Sequence, residues 1–373
     1  MQEKKSITDF GKIIIRELAN DVYASSLSDV SKAYRDYGKN ITPVGTSHTM
    51  MGQSLSKFNS SVRRTGPHEI LVSKNIVEAS SHSTILDIDT RLRDEFFEMP
   101  ISPDHRELSL GGVLSVGGYD PMSVRKGALV DSVESLVVVL RDGSIIKTKD
   151  RKFLCNLGEN GFIWSAKINL SNLRDSVYVN SFKIDYECFV DRIPSLIGDK
   201  SISGFHFGKD ATGSVLEVVG PINDRATRIL DYRSHRKKVT DTWAFREKDV
   251  FRPWSDTFVP ISKGKDFFNF CLDQIYKCNI EERFWSIFSI VCKRGNADHF
   301  PHTIGEDLYS LGVGVYVNIP LSERSSMIQV VDSQFKISEY AKKIGGKSCL
   351  HGWSLLENKN YDSCHKLLVS MGM

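Results

Sequence analysis

A loop with one histidine carries the residues best suited to chemistry near the start of the chain. Residues 43–53 read PVGTSHTMMGQ. A neutral imidazole such as that of His48 is a competent nucleophile near pH 7. Gly45 permits a tight turn, and the backbone N–H groups of residues 46–49 can then point at one anion such as a pyrophosphate. An ordinary glycine turn with a surface histidine is the alternative interpretation.

Two glycine pairs lie about 60 residues further along the chain. Residues 109–120 read SLGGVLSVGGYD, so a short apolar run separates Gly111-Gly112 from Gly117-Gly118. Because glycine has no side chain, the backbone can approach a flat or charged ligand closely at both pairs. Two loops with ordinary glycine turns would have the same composition.

A third glycine segment covers residues 157–163, LGENGFI, and leads into a strand-like run from Trp164 to Leu170. Before it, two apolar runs at 134–140 and 145–148 flank an Asp-Gly pair. An Asp-Gly pair between apolar runs is a strong hairpin signal. The three glycine segments are thus separated by strands and helices that must position them.

Together these segments resemble the PCMH-type FAD-binding domain of the vanillyl-alcohol oxidase superfamily, and they are most similar to the cytokinin dehydrogenases. That family has Gly-x-Gly-His-Ser-x-x-Gly-Gln, where residues 45–53 read GTSHTMMGQ. It has Leu-Thr-Val-Gly-Gly-Thr-Leu-Ser-x-x-Gly, where residues 108–118 read LSLGGVLSVGG. Its Gly-x-x-Gly-x-Ile element matches residues 158–163. Order and spacing agree up to about residue 170, and the resemblance fades beyond residue 175.

The resemblance implies that FAD is the cofactor and that the backbone of these segments holds it. The histidine that matches His48 is joined covalently to the 8α-methyl group of FAD in cytokinin dehydrogenases, so the same link is expected here. No cysteine lies in residues 111–118, so a second link through a thiol is not expected. The predicted cofactor contacts are Gly45, Thr46, Ser47, His48, Thr49, Gly52, Gln53, Gly111, Gly112, Ser115, Gly117, Gly118, Gly158, Gly161 and Ile163.

Asp104 has the spacing of the family's aspartate that hydrogen-bonds the substrate amine. A carboxylate can accept the proton of an amine or hydroxyl group while the adjacent carbon gives a hydride to flavin N5. His105 and His351 are the reserve candidates for this catalytic role. The reduced flavin would then pass electrons to oxygen, a quinone or another acceptor. An exposed turn at Pro103-Asp104 is the alternative interpretation.

Two other functions remain open. One is an alcohol, sugar or aldonolactone oxidase of the same superfamily. Several sugar-oxidising relatives carry a lysine near the flavin where, by simple count, Gly352 stands, which favours an amine substrate. The other is a flavin-binding protein without catalysis that serves as a binding partner, because the middle region is shorter than in typical members.

Composition excludes some classes. The 49 Lys and Arg residues against 46 Asp and Glu residues give a net charge of +3, which indicates no strongly basic nucleic-acid surface. No run approaches the roughly 18 apolar residues that a membrane span needs. Seven scattered cysteines without a Cys-x-x-Cys pair, and no apolar signal core in the first residues, predict reduced thiols in a cytoplasmic protein. No metal site is expected.

The predicted fold class is α+β. It comprises a two-subdomain FAD-binding domain at 1–172, a substrate domain at 173–330 with a sheet covered by helices, and a C-terminal segment at 331–373 that returns to the active site. Predicted helices are 13–22, 28–37, 91–97, 225–238, 267–278 and 331–344. Predicted strands are 41–44, 69–72, 84–88, 134–140, 145–148, 164–170, 177–186, 203–219, 284–292, 311–319 and 348–353, with a loop at 243–254.

Overall fold

The computed structural model describes residues 5–12, 15–18, 20–50, 52–55, 60–174, 176–220, 226–244, 249–323 and 325–352. The chain divides into two compact units. The first comprises Met1–Gly118 and Leu129–Arg174, and the second comprises Tyr119–Ala128 and Asp175–Met373. Both units combine helices with mostly antiparallel sheets, so the predicted α+β class is confirmed.

In the part that the structure describes, the first unit contains four sheets and three α-helices. Its helices are α1 (Leu27–Tyr37), α2 (Ile85–Arg93) and α3 (Leu110–Leu114). Its strands are β1 (Lys5–Thr8), β2 (Ile15–Leu18), β3 (Asn20–Ala24), β4 (Thr42–Pro43), β5 (Ser60–Arg64), β6 (Ile70–Ser73), β7 (Ile76–Ser80), β8 (Phe97–Glu98), β9 (Val133–Val139), β10 (Ile145–Thr148), β11 (Phe162–Asn169) and β12 (Ser171–Asn172).

Helix α1 packs on a three-stranded parallel sheet with the order β3-β5-β4. Ser26 and Asp29 form a capping box at its start. Val30, Ala33 and Tyr34 are buried, and they share one apolar cluster with Val62 of β5. The sheet and helix therefore set where the loop after β4, which carries His48, leaves the core.

A five-stranded antiparallel sheet with the order β10-β9-β11-β7-β6 forms the rest of the first unit's framework. The hairpin predicted around Asp142-Gly143 is present, because Ile145 pairs with Val139 across the turn. Two register shifts in the β9–β11 ladder mark bulges near Ile163 and Ile168.

Three predicted elements of the first unit are wrong. The helix predicted at 13–22 is strand in its described residues, because β2 pairs with β1 and β3 pairs in parallel with β5. The strand predicted at 84–88 is the start of α2. Thr84 and Asp87 form a capping box there, and Ile85, Ile88 and Leu92 are buried at helical spacing. Helix α2 ends at Arg93, which also corrects the helix predicted at 91–97.

The second unit is built on an eight-stranded sheet with the order β16-β13-β15-β14-β19-β20-β18-β22, and β17 pairs with β21. Its strands are β13 (Val177–Lys183), β14 (Gly204–Asp210), β15 (Gly213–Val219), β16 (Thr227–Ile229), β17 (Val250–Phe251), β18 (Ser255–Pro260), β19 (Trp285–Lys293), β20 (Tyr309–Val317), β21 (Ile319–Pro320) and β22 (Lys347–Ser348). Its helices are α4 (Ser123–Lys126), α5 (Tyr186–Gly198), α6 (Tyr232–Ala244), α7 (Gly264–Tyr276) and α8 (Ser325–Lys343).

One face of this sheet is aromatic and packs on helices. Tyr186 of α5 stacks on Phe268 of α7 with ring centroids 3.5 Å apart, and Phe207 of β14 lies 5.1 Å from Tyr186. Because side chains alternate along a strand, His206 and Asp256 belong to the other face. That second face carries these polar groups beside a smaller apolar cluster that includes Phe258, Cys292 and Cys349.

In the second unit, the predicted secondary structure agrees with the long apolar helices and strands. It differs for the segments that are rich in charged residues. The elements at 267–278, 284–292, 311–319 and 331–344 are confirmed within a few residues. Helix α5 was not predicted, and the charged helix of 225–238 starts at Tyr232, after strand β16. Residues 243–254 include the end of α6 and β17. Strand β22 ends at Ser348; residue 353 lies outside the described ranges.

Within the described ranges, no helix combines the length and apolar character needed to cross a bilayer. The same residues include no group of three or more His, Cys, Asp or Glu side chains arranged to hold a metal ion.

Candidate functional site

The first two glycine segments touch each other in the first unit. The N–H group of Ser109 donates to Oγ1 of Thr46 over 3.2 Å. A Cβ atom at Gly45 would lie 2.1 Å from Oγ of Ser109, so only glycine fits there without a shift. Gly45, Thr46 and Gly112 are exposed. The loop after β4 therefore lies against the start of α3 and leaves backbone open to a ligand.

Helix α3 explains the second glycine segment differently from the prediction. The N–H groups of Leu110 and Gly111 donate to the carbonyl groups of Ser83 and Ser81, over 2.9 and 2.7 Å. A Cβ atom at Gly111 would lie 2.9 Å from Cβ of Ser81. These amides are engaged within the protein, so Gly111 serves close packing, and Gly112 is the exposed member of the pair.

The third glycine segment packs on the other end of α3. The N–H groups of Cys155 and Leu157 donate to the carbonyl groups of Leu114 and Ser115, over 3.0 and 3.2 Å. Gly158 has a φ of +72°, and a Cβ atom there would lie 2.4 Å from Cγ of Pro43. All three predicted segments are therefore neighbours, joined through α3 and the residues around β4.

Arg141 locks this arrangement from the turn between β9 and β10. Its guanidinium donates to the carbonyl oxygens of Ile41, Gly158 and Glu159 over 2.7, 2.7 and 2.9 Å. It also lies 5.0 Å from the ring centroid of Tyr34 in α1. One side chain thus links α1, the start of the histidine loop and the third glycine segment.

Arg63 of β5 places a positive charge beside the histidine loop. Its Nη1 donates to the carbonyl oxygen of Gly45 over 2.9 Å and to Oγ of Ser47 over 3.3 Å. Its Nε lies 3.5 Å from Oδ1 of Asp21. Ser47 has a φ of +62°, which is uncommon for a residue with a side chain. A guanidinium beside exposed backbone amides is a suitable environment for a phosphate group.

His48 lies in a small aromatic group. Its Nδ1 is 3.0 Å from Oγ1 of Thr46, and its ring centroid lies 4.5 Å from that of His105 and 5.1 Å from that of Phe10. Burial, assisted by the positive charge that His105 can carry, lowers the pKa of His48 to about 4. Glu107, 3.3 Å from Nδ1 of His105, opposes that shift. His48 is therefore neutral at pH 7, as a nucleophile requires.

The backbone around His48 is fixed by the N-terminal strands. The N–H group of Phe10 donates to the carbonyl oxygen of Thr49 over 3.2 Å, and the N–H group of Gly52 donates to Oδ2 of Asp9 over 3.1 Å. Gln53 is half-buried beside them. The sequence alone did not indicate that Asp9 and Phe10 belong to this site.

The structure places the remaining predicted cofactor residues in packing roles. A Cβ atom at Gly118 would lie 2.6 Å from Cγ1 of Val113, and one at Gly161 would lie 2.7 Å from the carbonyl oxygen of Val139. Gly117 has a φ of +129°, and Ile163 is buried in β11. Any contact of these residues with FAD stays a prediction.

Asp104 is half-buried and directly precedes His105, whose ring contacts His48. The first unit thus brings His105 next to the predicted attachment residue, whereas the place of the Asp104 carboxylate relative to His48 stays a prediction. The third predicted catalytic residue, His351, belongs to the second unit.

His351 is part of a chain of three polar side chains in the second unit. Its Nε2 lies 2.9 Å from Oδ2 of Asp256, and the hydroxyl of Tyr316 donates to Oδ1 of the same carboxylate over 2.5 Å. Sequence reasoning missed Asp256 and Tyr316, because they lie on different strands and far from His351 in sequence. No local pattern could have found them.

Comparison with known proteins agrees with this geometry. Residues 22–149 match the family described as FAD binding domain, a range that includes His48, Asp104 and the first two glycine segments. Both comparisons support the resemblance seen in the sequence, to FAD-binding proteins of the PCMH type, for this part of the chain.

One relative is cytokinin dehydrogenase 2 of Arabidopsis thaliana, which is 29% identical over 181 residues. The match covers 44% of this chain and 36% of the relative, so it spans little more than a third of the relative's length.

The residues present fit FAD. The exposed backbone at residues 45–46 and the guanidinium of Arg63 suit the phosphates. Glycines at positions where a Cβ atom would clash let the three glycine segments approach each other closely. A neutral histidine lies in the same loop. The guanidinium of Arg63 supplies a positive charge beside this loop, which suits an anionic cofactor, and Asp21 lies 3.5 Å from its Nε.

Proposed function

We propose that the chain is an FAD-dependent oxidoreductase that takes a hydride from a small molecule. The resemblance to cytokinin dehydrogenases favours an amine as that molecule. The observation that carries the proposal is that the three glycine segments lie together and that the first of them carries a neutral His48. Two of these segments lie within the matched range of residues 22–149, and the third follows it. FAD would supply the redox chemistry by accepting the hydride and passing electrons to oxygen or a quinone.

The residues of the first unit would divide the work. Arg63 and the exposed backbone of residues 45–46 would hold the phosphates, since charge-assisted hydrogen bonds favour anions. His48 would tether the cofactor through its 8α-methyl group. Forming that bond removes one hydrogen from each partner, and the two electrons released go to an acceptor such as oxygen.

Asp104 would accept the proton that the substrate's amine group gives up. Asp104 directly precedes His105 of the histidine cluster, and a half-buried carboxylate can accept a proton while a substrate can still reach it. His105 is the alternative acceptor in the same unit, since Glu107 beside it would balance the charge of its protonated ring.

The visible spectrum of the purified protein tests the proposal. We expect a yellow protein, flavin that stays in the pellet after acid precipitation, and loss of that fraction in His48→Ala but not in the matched His68→Ala. An anaerobic panel of amines, alcohols and sugars should bleach the flavin with amines. A colourless protein that FAD cannot reconstitute would refute the proposal, and a yellow protein that no substrate bleaches would indicate a flavin-binding protein without catalysis.

A further inference from the structure

The chain of Tyr316, Asp256 and His351 is built by the strand register of the second unit. Asp256 of β18 is paired with Gly314 of β20, and Tyr316 lies two residues further on the same face. A Cβ atom at Gly314 would lie 2.5 Å from both Oδ1 of Asp256 and the hydroxyl oxygen of Tyr316. The missing side chain at position 314 therefore makes the room in which the other two side chains meet.

The backbone also fixes the segment that carries the histidine. The N–H group of Cys349 donates to the carbonyl oxygen of Asp256 over 2.8 Å, just beyond the pairing of Thr257 with Ser348. His351 thus lies two residues after this hydrogen bond. Its ring contacts the side chain of Asp256, the same residue whose backbone carbonyl accepts that bond.

The hydrogen bonds determine what this chain of side chains offers. The carboxylate of Asp256 accepts a hydrogen bond from the hydroxyl of Tyr316 and lies 2.9 Å from Nε2 of His351, so Nδ1 is the ring nitrogen that a ligand can meet. The side chain of His351 is 32% exposed against 17% for Asp256, so the imidazole is the member that a ligand can reach. The three side chains thus place an accessible imidazole beside a carboxylate.

A second histidine on the same face of the sheet provides a contrast. His206 is buried, its Nε2 lies 2.9 Å from Nη1 of Arg236, and Glu217 lies 3.3 Å from it. A cation therefore compensates the carboxylate of that cluster, and burial closes it to ligands. His351 differs, because its ring is accessible and the contacts described above join its carboxylate to a tyrosine hydroxyl rather than to an arginine.

We propose that His351, Asp256 and Tyr316 form a binding site for the nitrogen group of an amine, in which Nδ1 of His351 accepts an N–H hydrogen bond and Asp256 supplies the compensating charge. An amine is an ammonium at neutral pH, so a site with one acceptor and one negative charge prefers it to an alcohol of the same shape. The inference rests on the proposed function only in identifying this amine with the substrate.

Binding can be tested without any turnover. Protein labelled with carbon-13 at histidine Cε1 is titrated with benzylamine and, as the matched neutral probe, benzyl alcohol, and the resonance of His351 is assigned by its loss in His351→Gln. We expect that resonance to shift saturably with benzylamine, with affinity about 10-fold or more above that for benzyl alcohol. Asp256→Asn should abolish most of this preference, and Tyr316→Phe should weaken it.

Tyr309→Phe, on the same strand but outside the chain of hydrogen bonds, is the control and should leave both titrations unchanged. A His351 resonance that benzylamine does not move, or equal preference in wild type and Asp256→Asn, would overturn the inference. If Asp256→Asn fails to fold by circular dichroism, Tyr316→Phe decides through its affinity for benzylamine, read from the same His351 resonance. Amine binding in a protein without flavin would refute the proposed oxidoreductase and leave this site standing.

Discussion

The pH dependence of flavin attachment follows from the environment of His48. A histidine with an ordinary pKa near 6.5 is only about one-tenth neutral at pH 5.5, so attachment through it would slow about 10-fold between pH 7.5 and 5.5. Burial and the neighbouring His105 lower the pKa of His48 to about 4, so nearly all of it is neutral at both pH values. We therefore expect attachment rates at pH 5.5 and 7.5 to agree within about 1.5-fold.

The assay uses protein produced without flavin and mixed with saturating FAD at each pH. Samples are precipitated with acid over time, and the flavin fluorescence of the pellet gives the bound fraction. His105→Gln removes one of the causes of the low pKa, so it should move the loss of attachment toward higher pH. A 10-fold slower wild-type reaction at pH 5.5, with the fold intact by circular dichroism, would refute the reasoning.

Three further changes test the first unit. Asp104→Asn should keep the flavin but slow its reduction in a single turnover by about 10²–10⁴-fold, or about 3–5 kcal/mol of barrier. The exposed control Asp94→Asn should leave the reduction rate unchanged, and equal rates for wild type and Asp104→Asn would remove Asp104 from the mechanism. Gly45→Ala should lower the free energy of unfolding in urea by about 1–3 kcal/mol because its Cβ meets Oγ of Ser109, and adding Ser109→Ala should restore part of it; a neutral Gly45→Ala would mean that the loop moves freely. Gly158→Ala, at a φ of +72°, should cost about as much in the same measurement, and an unchanged midpoint would contradict the close packing seen there.

Local sequence signals predicted the elements whose causes are local. Helix α1 was predicted because its apolar spacing and its C-terminal glycine are visible in the sequence. The Asp-Gly hairpin was predicted for a similar reason. Helix α2 had a local signal as well, the capping pair Thr84 and Asp87, but its apolar residues suggested a strand.

Strands whose partners lie far away in sequence were beyond this reasoning. Residues 20–24 become a strand because Ser60–Arg64 lies beside them, forty residues later. The predicted glycine segments do come together, yet Gly111 and Gly161 are explained by packing against Ser81 and Val139. Motif matching identifies such positions without separating a residue that binds from one that lets another segment approach.

The second unit shows the same limit for function. His351 was a candidate only as a histidine near the end of the chain, and its partners became visible through the pairing of β18 with β20. The assigned ranges of the predicted domains, and the roles of the site residues, stay predictions for the experiments above.

Arg141 has a consequence for how the cofactor region opens. Its guanidinium donates hydrogen bonds to carbonyl groups in two separate segments, one at residue 41 and the other at residues 158–159. It also lies over the ring of Tyr34. Neither segment can detach without breaking contacts of the same side chain. In hydrogen exchange, amides of residues 44–46 and 155–161 should therefore open together as one cooperative unit, and Arg141→Lys should separate their exchange rates.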